Sequence, residues 1–215
     1  MSAVLNDLAA LLGALVVFNV CLTASAIAIA LPIACLFAVG RLSRHPFVYY
    51  SVTAYVNVLR SSPLLMIMFW AYYTGPMITG APTSAYTAAL IALAAFEVAY
   101  FTELVRAGLQ SISSGQRDAA LATGLKPSQA MRLVILPQAL RRMLPPTASQ
   151  FIQTLKDSAL ASTIGLRELT RRVSELQVQT YRPLELYTFL ALEYLLLILV
   201  LSYLARVMER RIQID

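Results

Sequence analysis

The sequence predicts an all-α integral membrane protein of about five spanning helices, with one charged cytoplasmic loop built as a helical hairpin. Three observations carry that expectation. Of 215 residues, 59% are hydrophobic and 13% charged, about half the charge of a soluble domain. Runs of roughly 18 or more apolar residues, the length that crosses a bilayer core, recur along the chain. Between the third and fourth runs lies Ser113–Leu144, dense in basic residues and in helix start and stop signals.

Taken in order, Leu8–Val39 contains no charged residue and reads as a long, tilted first span. Phe47–Thr74 is the second, interrupted by Arg60-Ser61-Ser62-Pro63. Ser84–Arg106 is the third and carries Glu97 and Glu103 inside it. Pro145–Leu166 is a weaker fourth, with Lys156-Asp157 in its middle. Leu184–Ala205 is the fifth, apolar except for Glu185 and Glu193. The whole chain, 1–215, is expected to form one transmembrane domain. The start of the chain lacks the basic residues and short apolar core of a cleaved signal, so the first span is expected to remain.

Orientation follows from Lys and Arg in the flanks. Met1–Asp7 and Gly75–Thr83 have none, whereas Gly40–Pro46 has Arg41 and Arg44. The hairpin region has Arg117, Lys126, Arg132, Arg141 and Arg142, and the tail has Arg206, Arg210 and Arg211. The N-terminus is therefore expected outside and the C-terminus in the cytoplasm. Arg167, Arg171, Arg172 and Arg182 dissent, since this topology leaves them outside.

The net charge of +6 sits mostly in cytoplasmic segments. That suits anionic membrane lipids and an acidic docking partner rather than nucleic acid. Cys21 and Cys35 lie on one helix about 21 Å apart, too far to pair, and read as small apolar fillers. The lone His45 precedes Pro46 in a basic loop and reads as a solvated flank residue. No H-E-x-x-H, G-x-S-x-G or phosphate-loop pattern is present, so no catalytic residue, metal or cofactor is expected. No Gly-x-x-x-Gly pairing face and no internal repeat stand out. Five unrepeated spans leave little room for a complete pathway, so a second copy or a paralogue is expected to complete it.

The stretch Ser113–Leu144 reads as two short helices around a turn. Ser113 and Gln116 fit a capping box, and Gly124 is a natural helix stop. Pro127 suits the first turn of a second helix, Ser128–Leu136, and Pro137 is expected to end or kink it. On shape alone this is an interfacial amphipathic hairpin.

The residue pattern says more. Asp118-Ala119-Ala120, then Gly124, then Ile135-Leu136-Pro137 resembles the cytoplasmic docking loop of ABC-importer permeases, whose pattern begins Glu-Ala-Ala. Asp118 departs from the usual Glu by one methylene. Further matches resemble the polar amino acid uptake branch. These are Tyr55 through Arg60-Ser61-Ser62-Pro63-Leu64-Leu65; Ala99, Tyr100, Glu103, Arg106 and Gly108; Gly115-Gln116; Leu136–Ala139; and Lys156-Asp157-Ser158-Ala159-Leu160, with two positions changed. The wording around Tyr55–Pro63 and Phe96–Tyr100 is most similar to permeases for acidic amino acids.

The resemblance implies the type I ABC importer transmembrane fold in a bacterial inner membrane. It implies a second permease subunit, two ATP-binding subunits that hydrolyse ATP, and an extracytoplasmic amino acid-binding protein. Asp118, Ala119, Ala120, Gly124, Leu136 and Pro137 would then form the ATPase-docking surface. The rival is a channel or scaffold subunit without an ATPase.

Charges within spans are costly, at about 2.5–3.5 kcal/mol each near a helix centre, and therefore face protein or a wet cavity. Glu97 either receives a substrate ammonium group or pairs with a base on a neighbouring span. Arg60 either satisfies carbonyls freed by Pro63, the favoured role, or forks onto a substrate carboxylate. Lys156, Asp157 and Ser158 are expected to line the path. Glu103 and Arg106, at i,i+3, are expected to form a structural ion pair. Glu193 is expected to pair with a neighbouring span or subunit. Trp70 and the span-end tyrosines read as interface anchors.

Overall fold

The computed structural model describes residue 13 and residues 15–213, with side chains placed for 18–209. The expected start of the first span at Leu8 lies outside the described residues. A π-helical turn, Leu15–Val20, leads into α1 (Cys21–Arg41). Then come α2 (Pro46–Ser61), α3 (Leu64–Thr79), α4 (Ala85–Gln110), α5 (Ser114–Ala122) and α6 (Pro127–Ala130). A second π-helical turn, Met131–Ile135, runs into α7 (Leu136–Ser158), which ends in a 3₁₀ segment, Ala159–Ile164. The chain finishes with α8 (Leu169–Thr180) and α9 (Pro183–Gln213). No strand occurs among the described residues.

The core is the α1–α4 seam. Ala26, Ala30, Ala34 and Ala38 repeat every fourth residue on α1 and are fully buried. On α4, Ala88, Ala89 and Ala92 are buried in one cluster with Ala26, and Val98 and Phe101 in another with Ala30 and Ala34. Lipid tails are as apolar as leucine, so apolarity alone does not drive helices together in a bilayer. Small side chains do, because they let two backbones approach closely. The absent Gly-x-x-x-Gly therefore hid an Ala-x-x-x-Ala stripe that performs the same task.

Ser84 caps α4 as its side-chain oxygen accepts from the Thr87 N–H at 3.1 Å. The second expected span is not one rod. Ser62 is extended, with φ −94° and ψ 139°, as residues before proline tend to be, and α2 and α3 meet at 104°. This pair is a broken span or a re-entrant hairpin.

Among the described residues, three helical stretches are long and apolar enough to cross a membrane: Phe18–Arg41, Ala85–Gln110 and Pro183–Glu209. The bent pair makes up to four. The expected fourth span differs from its reading. It begins at Leu136 rather than Pro145 and holds both Pro145 and Pro146 inside the helix. Gln138, Arg141, Arg142, Gln150, Gln153, Lys156 and Asp157 make it amphipathic.

Two expectations about the hairpin are corrected. Ser113 makes no side-chain cap; its carbonyl accepts from the Gln116 N–H at 3.1 Å. The Gln116 side-chain Oε1 instead accepts from Gln138 Nε2 at 3.2 Å. Pro137 does not end the second helix either. It occupies the first turn of α7, directly after the π-helical turn. The wider turn changes the hydrogen-bond register where proline supplies no N–H, so the helical path continues.

Candidate functional site

The hairpin departs from the bundle at the end shared by α4 and the start of α7. Gly124 reverses the chain with φ +88°, a conformation that costs residues with a Cβ about 1 kcal/mol or more. Ala120, Ala130, Ile135 and Ala139 are buried where α5 leans on the second π-helical turn. Ala120 is therefore a spacer rather than surface. Asp118, Ala119, Gly124, Leu136 and Pro137 are exposed. Leu121, Leu133 and Leu140 are also exposed, as are Arg117 and Arg132, so the hairpin exposes both apolar and charged side chains.

Inside the bundle, Glu97 is completely buried. Gln150 Nε2 donates to both its carboxylate oxygens, at 3.2 and 3.1 Å. No basic group joins it among the described residues, so the ion-pair alternative is not what the fold supplies. Asp157 accepts from Gln153 Nε2 at 3.0 Å, and Lys156 is exposed. Glu97 and Asp157 thus sit on facing helices, each held by a glutamine of α7.

Arg60 does not serve the carbonyls freed by Pro63. Ser62 does, since its Oγ donates to the Val58 carbonyl at 2.8 Å and its N–H to the Leu59 carbonyl at 3.3 Å. The Arg60 guanidinium lies over the Tyr100 ring, 5.1 Å from its centre, and forms no ion pair among the described residues.

Glu103 lies between two arginines. Arg106 Nη2 is 2.7 Å from one carboxylate oxygen and Arg41 Nη2 is 2.6 Å from the other. Arg41 Nη1 also donates to Thr53 Oγ1 at 2.5 Å. The cluster therefore ties α4 to α1 and α2. Arg41 had read only as an orientation signal.

A fourth polar group escaped the sequence. Asn19 Nδ2 donates to Ser158 Oγ at 2.9 Å, Tyr194 Oη at 3.0 Å and Glu168 Oε2 at 3.2 Å. Glu168 Oε1 caps α8, accepting from the Arg171 N–H at 2.8 Å. Burial pushes the Glu168 carboxyl above its ordinary range, opposed by the Thr170 and Arg171 N–H groups and Asn19. Ser158, expected to line the path, is fully buried in this cluster. The available signal was an amide alone among apolar residues in the first run. Glu193 is buried and neither oxygen has a hydrogen-bond partner among the described residues. Cys21 and Cys35 are exposed on α1 rather than filling the core. Among the described residues, no three His, Cys, Asp or Glu side chains gather as a metal site.

Fold and site together define an all-helical membrane protein that carries an exposed hairpin at one end of its bundle. The chain belongs to the family of binding-protein-dependent transport system inner membrane components, whose pattern matches residues 30–214. That family is a transport component rather than a catalytic subunit. The chain is 38% identical over 161 residues to the glutamine transport system permease protein GlnP of Escherichia coli K12, covering 74% of each chain. It is 35% identical over 217 residues to the glutamate/aspartate import permease protein GltK of Escherichia coli O6:H1, covering 98% and 96%. An amino acid ABC transporter crystallised with histidines superposes with a TM-score of 0.90 at 34% identity, covering 97% of each chain. The MetNI methionine transporter superposes with a TM-score of 0.77 at 22% identity, covering 99% of each, and supports the fold alone.

Proposed function

We propose that this chain is the membrane-spanning permease subunit of an ATP-driven importer of polar amino acids, acidic ones foremost. It pairs with a second permease, receives substrate from an extracytoplasmic binding protein, and docks one ATP-binding subunit through its hairpin. The N-terminus lies outside and the hairpin and C-terminus lie in the cytoplasm. The observation that carries the proposal is the hairpin surface, where Asp118, Ala119, Gly124, Leu136 and Pro137 are exposed along with Leu121, Leu133 and Leu140. Exposed apolar side chains interspersed with charges of both signs suit a protein partner. Names of the relatives support amino acids as cargo, and they include glutamine as well as glutamate and aspartate.

Acidic cargo is supported by Arg60, a planar fork with no carboxylate partner among the described residues and suited to bidentate binding of one. Glu97, buried without a countercharge, suits the substrate ammonium group. Lys156, Asp157 and Ser158 continue the same region toward the end of α7, with Ser158 acting through the buried cluster. Glu103 and Arg106 serve structure.

The test is uptake by proteoliposomes holding the complete complex, its binding protein and ATP, with labelled glutamate, glutamine, arginine and histidine compared. Glutamate is expected to be taken up fastest and only with ATP. Uptake led by arginine or histidine would overturn acidic preference. Failure of any ATP-binding subunit to co-purify would overturn the docking role and return the chain to a channel or scaffold.

A further inference from the structure

We infer that Gly108 and Met143 form the joint through which movement of the docking hairpin reaches the spans, an inference that rests on the docking role proposed above. Gly108 is buried near the hairpin end of α4. A Cβ placed there would overlap the Cγ and Sδ of Met143, while the Met143 Cβ stands 3.6 Å away. Only a residue without a side chain admits Met143 at this depth, so α7 is seated in a notch of α4. A polar strut flanks the notch. Arg142 Nη1 donates to the Ser111 carbonyl at 2.5 Å, and Ser111 Oγ donates to the Gly108 carbonyl at 2.7 Å.

The two sides of the joint differ in stiffness. On the α4 side, Glu103 and Arg106 lie within two turns of Gly108 and are bound through Arg41 to α1 and through Thr53 to α2. On the α7 side, the π-helical turn and Pro137 precede Met143, and Pro145-Pro146 follow it. Those two prolines withhold the N–H groups that the carbonyls of Arg141 and Arg142 would otherwise receive. Compliant helix on both sides of one tight contact concentrates load at that contact. Displacement of the hairpin is thus delivered to α4 at Gly108, and α4 carries Glu97 further along the same helix.

The experiment uses the reconstituted complex with its ATP-binding subunits and binding protein, and reads amino acid transported per ATP hydrolysed alongside co-purification of the ATP-binding subunits. Gly108→Ala displaces Met143, and Met143→Ala removes the knob without any clash. Each is expected to keep the ATP-binding subunits bound while lowering transport per ATP, by about fivefold for Gly108→Ala. The double variant Gly108→Ala/Met143→Ala brings two Cβ atoms to ordinary contact and is expected to recover much of the loss. A wild-type ratio in both single variants, or a double variant no better than Gly108→Ala, overturns the joint. Loss of the ATP-binding subunits from the unsubstituted complex would instead overturn the docking reading beneath it.

Discussion

Glu97 brings a carboxylate between α4 and α7, where the Gln150 amide meets it and no basic group pairs with it among the described residues. A buried carboxylate without a countercharge is expensive, and such groups in membrane proteins mark function. Glu97→Gln keeps the volume and one acceptor oxygen while removing the charge. Uptake is expected to fall at least about tenfold, since a charge-assisted contact to an ammonium group is worth about 1.5–3 kcal/mol. The complex should assemble normally on size-exclusion chromatography, and wild-type uptake by this variant would remove Glu97 from the path. Arg60 was legible as an intramembrane charge, but its surroundings were not. Proline 63 exposes carbonyls in any helix, and only the fold decides that Ser62 reaches them first. Gln150 and Asn19 were missed for a related reason: an uncharged amide costs little enough in an apolar run to pass unnoticed, and its importance lies in what it touches.

At the scale of elements, the hairpin turns on Gly124. Its φ of +88° is inaccessible to proline, and its N–H donates to the Leu121 carbonyl at 3.0 Å. Gly124→Pro is therefore expected to abolish co-purification of the ATP-binding subunit. Gly124→Ala meets open space and bears only backbone strain of about 1 kcal/mol, so it should retain most docking. Equal effects from the two substitutions would separate docking from turn geometry. The first hairpin helix, its glycine stop and Pro127 were readable from residue order because caps, turns and proline act within four residues. The fate of Pro137 was not readable. Whether a proline ends a helix or is absorbed by a π-helical turn depends on neighbours that hold the chain in line, here Gln116 bonded to Gln138.

For the whole molecule, orientation is tested by labelling from either side of the membrane. In a variant with Cys21 and Cys35 replaced, a single cysteine at Ser114 should react with a membrane-impermeant maleimide only in inverted vesicles. One at Pro82, in the loop after α3, should react only in intact spheroplasts. The reverse pattern would invert the topology and place the hairpin away from ATP. Two of the dissenting arginines are paired with acids: Arg171 with Glu175 at 3.0 Å on α8, whose Leu169 and Val173 are buried together with Leu190 of α9, and Arg182 with Glu185 at 3.7 Å. Exposed Leu192, Leu195, Leu196, Leu199 and Val200 on α9 leave that helix an apolar outer surface, as a helix in a bilayer has.

Composition and apolar run length settled the membrane class, because the bilayer penalises charge and unpaired backbone wherever they fall in the chain. The order of local signals likewise supplied the hairpin and its resemblance to a docking loop. Pairing of distant residues was decided by tertiary packing alone. Asn19 meets Tyr194, Arg41 meets Glu103, and Met143 enters the space left by Gly108. Each depends on close approach between helices far apart in sequence, and that approach is set by small-residue seams whose partners residue order does not name.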